Sequence, residues 1–540
     1  MSVINNVKIY QPGKETIEKG HLMIDDGKIS YVGNGDYEGD QTDVIDGEGR
    51  TIAPSFNDTH LHLLRYGLMK KELDLREVTT WEKMKGIVRD RYTEEEMEEN
   101  EWVIGRGLID SQFTDMDHLL TAQDLDELEY DKPMFFLHDD GHECIVNDVA
   151  LEIIKEHDEL EKNHDMFIEK DENGNWTGRF KDSAVHFIKF HFRQKTENEV
   201  YEAIGDAVPH LLKHGITSIH TDDLNYTGAF DRVWNSYRKL EKEGDLPVQV
   251  HLHHYVYNLD NMKEYLNHYE RRTGDGSDRV RMGAFKIFLD GTQRLHTAAL
   301  RQAYHDQPET SGTLIYSQEE LDEMVKTADE NNMQVTMHAI GDRTVEQAIN
   351  AIEKVGAGKM RHRIIHAQIL APDLLERLKK IKPYLEIQPG FMMNEYDQTA
   401  DWVGDEQEKY CNPWKTVSKM GIPFTGSSDC PIGPLSPMMH IYAAVTRQDE
   451  EGKPEGGWIP DERLSVDEIY YAYTATGAEL EFQEQAKGKL EKGHTADFVV
   501  LSAHPGEVQP EQLKDIEVLE TWVKGEKVMV KQEEMAGQFS

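Results

Sequence analysis

The chain has 540 residues, of which 38% are hydrophobic and 9% aromatic, and its formal net charge is −43. A surface this acidic repels nucleic acid and anionic membranes, so we expect neither as a partner, and the excess of acid is typical of a well-solvated protein. Adaptation of the host to salt is a second explanation, because salt screens the repulsion between like charges.

Cysteine use and the absence of targeting segments bear on location. The three cysteines, Cys144, Cys411 and Cys430, form no even, regularly spaced set, so they predict free thiols and not a disulfide framework. The first residues lack the charged and apolar segments of a secretory signal, and no run of about 18 apolar residues occurs. We therefore expect a cytoplasmic protein that does not span a membrane.

Short predicted strands occupy both ends of the chain. Pro-Gly and Asp-Asp-Gly turns separate them near the N-terminus, and the apolar segments are 7–10, 21–24, 28–32, 496–501, 518–523 and 527–530. Because chain termini often lie close together, we expect residues 1–50 and 481–540 to form one small β-sandwich domain.

Residues 51–480 repeat a pattern of an apolar strand followed by a helix with apolar residues three and four apart, as in 317–331 and 344–355. Eight strands are predicted, and they cover residues 51–59, 215–221, 247–255, 280–289, 334–340, 363–368, 384–388 and 422–427. Strands that alternate with helices form a parallel sheet, and eight such units are typical of a closed barrel. The sequence therefore predicts an α/β protein built on a (β/α)8 barrel.

The connection between the first two predicted strands is far longer than an ordinary one. Residues 73–194, which fill most of it, contain their own predicted helices and strands and are rich in acid. A structureless loop of that length is uncommon in a compact domain. We therefore expect an inserted α+β subdomain after the first barrel strand.

Metal-ligand residue types recur at the predicted barrel strands. The first strand runs into His60 and His62, which face the same side of an extended chain because they are two residues apart. Other ligand types lie in or at the ends of later strands, and they are Lys286, His338, His366 and Asp429. A histidine pair alone is a weak signal, but barrel enzymes build their sites from the carboxyl ends of several strands. Imidazole and carboxylate both suit zinc, so we expect a divalent metal site.

Lys286 lies in the apolar segment 284–289, where an unpaired ammonium is costly to bury. Its neighbours in the strand face the opposite side, so the lysine is expected to point into the barrel. A buried lysine can lose its proton and react with carbon dioxide, and the two oxygens of the carbamate can bridge a pair of metal ions. A structural lysine paired with a carboxylate is the alternative.

Five further residues are candidates for substrate binding. His142 follows a short acidic turn, and His220 ends the second predicted strand. Arg294, His296 and Arg343 follow later strands and are suited to bind a polar substrate group. Structural contacts and surface ion pairs are the alternative for all five.

The sequence resembles the amidohydrolase superfamily, in the branch typified by N-substituted formamide deformylases and related uncharacterised metal-dependent hydrolases. The matching segments follow the family's order over nearly the whole chain, and they are 54–62 (PSFNDTHLH), 286–291 (KIFLDG), 338–343 (HAIGDR), 363–368 (RIIHAQ), 426–431 (GSSDCP) and 492–501 (KGHTADFVVL). The segment HDDGH at 138–142 is also similar to a motif of this branch. The chain departs from the family at Ser55, where glycine is usual, and in the additional residue of Gly-Ser-Ser-Asp. Neither departure removes a ligand.

The resemblance implies a role for each ligand. His60, His62 and Asp429 would bind the more buried of two metals. His338 and His366 would bind the second. Lys286, as a carbamate, would bridge the two. The family implies one or two zinc ions as the cofactor.

The resemblance also implies an activity, which is hydrolysis of a non-peptide C–N bond in a small amide or formamide. Asp429 would act first as general base and then as general acid. The alternatives are a hydrolase of C–O or cyclic C–N bonds on the same fold, an isomerase, and a non-enzymatic binding protein that retains the fold. Substrate, metal identity and oligomeric state, a homo-oligomer included, stay open at this point.

Overall fold

The computed structural model describes residues 1–40, 43–69, 72–92, 101–128, 130–139, 141–156, 160–161, 165–189, 195–224, 227, 229–356 and 358–531. Within these ranges the chain forms three sheets, which are an eight-stranded parallel sheet, an eight-stranded sheet built from both ends of the chain, and a six-stranded sheet. Among the described residues, no helix has the length and apolar character that crossing a membrane requires.

The central sheet is parallel throughout, and its strands neighbour one another in chain order. Barrel strands one to eight are Phe56–Leu61, Ile216–Thr221, Gln249–Tyr255, Val280–Phe288, Val335–Ala339, Arg363–His366, Tyr384–Ile387 and Phe424–Gly426. The Oγ1 atoms of Thr59 and Thr425 lie 2.7 Å apart, and the amide of Asp429 donates to the carbonyl of His60 over 2.8 Å. These contacts join strand eight to strand one, so the predicted α/β barrel is confirmed.

The expected first strand, residues 51–59, is two strands in the structure. Thr51–Pro54 pairs antiparallel with Phe498–Leu501 in the terminal sheet, whereas Phe56–Leu61 pairs with the second barrel strand. The partner changes at Ser55, whose amide donates to the carbonyl of Asp497 over 3.4 Å, whereas the amide of the next residue, Phe56, donates to the carbonyl of Gly215 over 2.9 Å.

Helices cover the barrel and connect its strands. Their apolar faces explain their position, since helix Gln318–Glu330 buries Leu321, Met324, Val325 and Ala328. Its first turn is fixed by a capping box between Ser317 and Glu320. The helices of this layer are Leu63–Leu68, Glu197–Lys213, Phe230–Glu243, Leu259–His268, Gln318–Glu330, Asp342–Val355, Pro372–Ile381, Pro389–Val403, Asp405–Glu408, Trp414–Lys419, Pro437–Thr446, Val466–Ala472 and Ala475–Leu480.

Strands from both ends of the chain form the terminal sheet. They are Ser2–Ile9, Ile17–Asp25, Lys28–Asn34, Val44–Asp46, Thr51–Pro54, Phe498–Leu501, Val518–Val523 and Glu526–Val530. The apolar core of this sheet contains residues from both ends of the chain. Hydrogen bonds also join the two ends, since the amide of Ala496 donates to the carbonyl of Gly27 and the amide of Gly525 donates to the carbonyl of Ala496. The last residues of the expected domain, 532–540, lie outside the described residues.

The six-stranded sheet belongs to the segment between barrel strands one and two. Its strands are Leu73–Asp74, Val103–Leu108, Met134–His138, Glu143–Val146, Ile168–Lys170 and Trp176–Lys181, and its helices are Trp81–Arg91, Ala122–Asp126, Asp148–Lys155 and Asp182–Lys189. Two apolar clusters of its own support it. The end of the expected insertion, 190–194, lies outside the described residues, as does Asp140 of the HDDGH segment.

The insertion reaches the carboxyl ends of the barrel strands. Arg294, after strand four, donates to the Oε2 atom of Glu143 over 3.2 Å. Glu143 in turn accepts hydrogen bonds from the buried Arg179 of the same subdomain. This buried ion-pair network holds the insertion against the mouth of the barrel.

Candidate metal centre

Six side chains from five barrel strands line one narrow cavity at the carboxyl end of the barrel. They are the residues that the sequence singled out as metal ligands, namely His60, His62, Lys286, His338, His366 and Asp429. The Oδ1 atom of Asp429 lies 3.4 Å from Nε2 of His60 and 3.1 Å from Nε2 of His62. These three residues are close enough together to share one metal ion.

The second histidine pair lies beside the first. The rings of His338 and His366 have centroids 4.7 Å apart, and the rings of His60 and His366 are 6.2 Å apart. Their positions follow from the parallel barrel, because strands one, five and six all end at the same rim. The four imidazoles thus surround a common space with Asp429.

Lys286 is fully buried in the barrel interior. Its Nζ atom lies 3.3 Å from Nε2 of His60 and 4.7 Å from the centroid of the Phe288 ring. Among the described residues, no carboxylate oxygen lies within 4.0 Å of it. Burial lowers the pKa of Lys286 to about 8, although Asp222 and Asp429 act in the opposite direction.

Outer contacts orient three of the imidazoles. The Nδ1 atom of His62 lies 2.9 Å from the carbonyl oxygen of Asp222, and Nδ1 of His366 lies 2.8 Å from Oε1 of Gln388. The Nδ1 atom of His338 lies 3.1 Å from Oδ1 of Asp290. The contacts of His62 and His366 are hydrogen bonds that engage Nδ1 and leave Nε2 for the cavity, as in metal sites whose ligands are held by a second layer of polar groups. Asp290 lies close to Nδ1 of His338 without the geometry of a hydrogen bond.

The chemistry of these residues fits a divalent metal. The Nε2 atom of His338 is buried and has no hydrogen-bond partner among the described residues, and the buried Oδ1 atom of Asp429 lies close to Nε2 of His60 and His62 without the geometry of a hydrogen bond. Such groups carry a large desolvation cost unless something binds them. Burial lowers the pKa of His60, His338 and His366 well below the usual value, which keeps these rings in the neutral form that binds metal.

The backbone is strained where two of the ligands leave their strands. His366 and Ala367 have φ angles of 70° and 44°, and Asp429 has a φ angle of 53°. Each such residue costs about 1–3 kcal/mol and persists only where the surroundings enforce it. The strain lies at the ends of strands six and eight, where it turns the ligands toward the cavity.

His142 of the insertion, a candidate for substrate binding, also lines this cavity. Its Nδ1 atom lies 3.0 Å from Oδ1 of Asp182, and its ring centroid is 5.9 Å from that of His338. Asp182 reaches this position past Gly291, where a Cβ atom would lie 2.5 Å from Oδ2 of Asp182. The glycine of the KIFLDG segment therefore makes room for the contact between insertion and barrel.

The other four candidates for substrate binding lie outside the residues that line the cavity. Arg294 pairs with Glu143, His296 lies 2.9 Å from Asp306, and Arg343 is exposed. Arg294 and His296 thus form ion pairs and Arg343 lies at the surface, which is the alternative to substrate binding that the sequence left open.

His220, the remaining candidate, belongs to a polar cluster inside the barrel. Its ring stacks on that of His251 with centroids 4.6 Å apart, and its Nε2 atom lies 3.0 Å from Oε1 of Glu481. His220, His251 and Glu481 are spaced closely enough to hold a metal. The ammonium of Lys487 already lies 2.6 Å from Oε2 of Glu481, so a cation of the protein itself neutralises this cluster.

For four residues at the site, no role was predicted from the sequence. Asp290 lies within the KIFLDG segment, and Gln388 follows barrel strand seven at the level where other strands carry ligands. Arg65 comes three residues after His62 on helix Leu63–Leu68. Asp182 had no local signal, because its contact with His142 spans 40 positions of the chain.

A parallel barrel that gathers metal-ligand residue types at its carboxyl end is typical of metal-dependent hydrolases. The model of the amidohydrolase family matches residues 43–529. The chain therefore belongs to the amidohydrolase family.

Individual relatives agree with this assignment. The chain is 33% identical over 531 residues to YtcJ of Bacillus subtilis (strain 168), a protein named as an amidohydrolase, with 97% of this chain and 98% of YtcJ covered. It is 23% identical over 522 residues to N-substituted formamide deformylase of Arthrobacter pascens, with 93% and 94% covered. The crystal structure of an uncharacterized metal-dependent hydrolase from Pyrococcus horikoshii OT3 is similar, with a TM-score of 0.75, 25% identity, and 94% of this chain and 99% of that chain covered.

Proposed function

We propose that the protein hydrolyses a non-peptide C–N bond of a small amide or formamide with metal-activated water. The observation that carries the proposal is the buried Asp429, whose Oδ1 atom lies 3.4 Å from Nε2 of His60 and 3.1 Å from Nε2 of His62, close enough for the three residues to share one metal ion. The name of the Arthrobacter pascens relative supports the choice of a formamide or similar amide.

One or two divalent ions, zinc in the simplest case, would be held by the six ligands. His60, His62 and Asp429 would hold one ion, and His338 with His366 the other. Lys286 would lie between them as a carbamate, because burial favours its neutral amine and leaves Nζ free to bond to carbon dioxide with loss of one proton. When bound, such ions supply Lewis acidity, which lowers the pKa of water and polarises the substrate carbonyl.

The residues of the chain would then move the protons. Burial opposes ionisation of Asp429, but His60 and His62 hold its pKa well below the usual value, so the carboxylate is available as a base. It would accept a proton from the attacking water and return it to the leaving nitrogen, which gives a carboxylic acid and an amine. His142, oriented by Asp182 through Nδ1, would donate from Nε2 to the oxygen on which negative charge develops.

The same ligands serve hydrolases of esters and of cyclic amides, and isomerases, because fold and ligands do not fix the substrate. A binding protein that has lost catalysis is the non-enzymatic alternative. The retention of all six ligands and of their outer contacts to Gln388, Asp290 and Asp222 favours an enzyme.

A substrate panel tests the proposal. Metal-loaded full-length protein would be incubated with formamides, N-acyl amines, cyclic amides and lactones, and the released amine would be quantified. We expect release from an acyclic amide or formamide, and a loss of at least about a hundredfold in Asp429→Asn. Asp306→Asn is the matched control, because Asp306 also pairs with a histidine but lies outside the cavity. Turnover of lactones or cyclic amides alone would refute the bond class.

A further inference from the structure

Arg65 lines the same cavity as the candidate metal ligands, but the proposed mechanism assigns no role to its side chain. It lies on the short helix Leu63–Leu68 that follows the histidine pair of barrel strand one. Among the described residues, no carboxylate oxygen lies within 4.0 Å of its guanidinium. An arginine beside a catalytic centre has five donors in a planar fork, and here that fork is available to a ligand.

The insertion fixes the wall of the cavity around Arg65. Gly141 has a φ angle of 75°, and a Cβ atom there would lie 3.0 Å from Nη2 and 3.1 Å from Nη1 of Arg65. The same Cβ would lie 2.4 Å from Cδ1 of Ile432, which also lines the cavity. Only glycine allows the insertion to approach so closely, so the guanidinium lies at the junction of insertion and barrel.

The charge around Arg65 is opposite to that of the whole chain. The protein has 102 acidic and 59 basic residues, yet Arg65 has cationic neighbours in Lys189 and Arg106. Burial, and to a smaller extent the positive charge of Arg65, lowers the pKa of Lys189 to about 7. Among the described residues, the acidic groups on this side include Glu72, whose pKa burial raises, Asp74, which lies 3.6 Å from Arg106, and Asp139, which interacts with Arg76. This part of the cavity wall therefore attracts anions, whereas most of the surface repels them.

We propose that Arg65 binds a carboxylate of the substrate, so that the substrate class is an N-acyl compound with a free carboxylate near the scissile amide. The proposal rests on the proposed function, because it concerns the same cavity. The carboxylate would lie across the guanidinium in a bidentate pair while the amide carbonyl lies among the ligands around Asp429. A neutral isostere would gain nothing from this contact.

The first test compares acid and neutral substrates on the metal-loaded full-length protein. An N-acyl amino acid and its methyl ester would be assayed with the wild type and with Arg65→Met. We expect the wild type to prefer the acid, and the substitution to raise KM for the acid by about tenfold to a hundredfold while changing KM for the ester by less than about threefold. Arg65→Lys should keep part of the preference for the acid, because lysine keeps the positive charge but cannot form the bidentate pair.

The matched control is Arg76→Met. Arg76 lies on the same side of the molecule, but it already pairs with Asp74 through Nε at 2.9 Å and does not line the cavity. We expect KM for the acid to stay within about threefold of the wild type. An equal rise in both arginine variants would mean that only net charge matters, and it would overturn the specific role of Arg65.

A binding measurement separates this proposal from the proposed function. An N-acyl amino acid and its methyl ester would be titrated calorimetrically into wild type and Arg65→Met. Selective binding of the acid that the substitution removes supports the role of Arg65, even if no amide in the panel is hydrolysed. Hydrolysis of amides with no preference for the acid, and with no change in Arg65→Met, would overturn the role of Arg65 and leave the proposed function standing.

Discussion

The Nζ atom of Lys286 lies 3.3 Å from the Nε2 atom of His60, and both side chains are buried inside the barrel. Two nitrogen atoms at this distance in a buried site disfavour a second positive charge, since burial lowers the pKa of both groups. A neutral amine beside a neutral imidazole is the state in which Lys286 can be carboxylated and His60 can bind metal. This contact is the basis of the proposed bridged centre.

Replacing the lysine tests the bridge. We expect Lys286→Ala to lose nearly all activity and to bind fewer metal ions per chain, because no oxygen then lies between the two histidine pairs. Short carboxylic acids should restore part of the activity by supplying the missing oxygens. Metal content by mass spectrometry and amide hydrolysis are the two measurements. Lys326→Ala is the control, since Lys326 is exposed on helix Gln318–Glu330. Full metal content and full activity in Lys286→Ala would make the lysine structural.

His142 is expected to affect turnover but not metal content. In the proposed mechanism it donates to the developing oxyanion, and the loss of one such donor costs about a hundredfold to a thousandfold in kcat. His142→Ala should therefore reduce kcat by about this factor with an unchanged metal-to-protein ratio. His118→Ala is the matched control, because His118 also pairs with aspartates of the insertion but is exposed. If kcat for the His142 variant matched that of the control, the proposed donor would be excluded.

Gln388 should tune the affinity for metal. Its Oε1 atom holds Nδ1 of His366, and its amide group donates to Oγ of Ser427 over 2.8 Å. Outer contacts of this kind change metal affinity by about tenfold to a hundredfold. We expect Gln388→Leu to show this loss in a chelator competition, whereas Gln407→Leu, which removes a side-chain amide that donates to the carbonyl of Leu370, should not. Equal affinities in both variants would contradict the orienting role.

Glu468 provides a test of stability as a function of pH. Burial raises its pKa, but hydrogen bonds from Lys415, Ser418 and Ser465 dominate and lower it to about 2. A carboxylate with a depressed pKa stabilises the fold above the unfolded value of 4.5, and this contribution is lost as the pH falls from 4.5 toward 2.

We therefore expect Glu468→Gln to lower Tm at pH 7, in line with a cost of about 1–2 kcal/mol for a capping carboxylate that also pairs with lysine. The difference in Tm from the wild type should shrink below pH 4.5. Glu323→Gln is the control, because Glu323 is exposed and lies 3.7 Å from Lys326, so its effect should be small at every pH. A difference in Tm that stays constant down to pH 3 would rule out the ionised form as the source of the stability.

The barrel, and the position of the candidate ligands at one of its rims, could be predicted because the relevant signals are local. Parallel strands buried on both faces are apolar segments, and in a barrel their carboxyl ends meet at one rim. His338 and His366 could therefore be assigned to one site from their place at strand ends alone. The change of sheet at Ser55 was not predicted, since one continuous apolar segment supplies strands to two different sheets.

The rest of the site depends on contacts between distant parts of the chain. Asp182 orients His142 only because the insertion packs against the barrel at Gly291. The position of Arg65 at the cavity wall likewise depends on the close approach of Gly141. No spacing or periodicity encodes these contacts, and they decide which polar groups line the cavity.

The most direct test of the central claim is amide hydrolysis by the purified protein before and after removal of bound metal with a chelator, with metal content measured at each step. The account predicts one or two divalent ions per chain, loss of hydrolysis as they are removed, recovery when zinc is returned, and neither binding nor recovery in a variant in which His60 and His62 are replaced by alanine. Undiminished hydrolysis by folded, metal-free protein would contradict it.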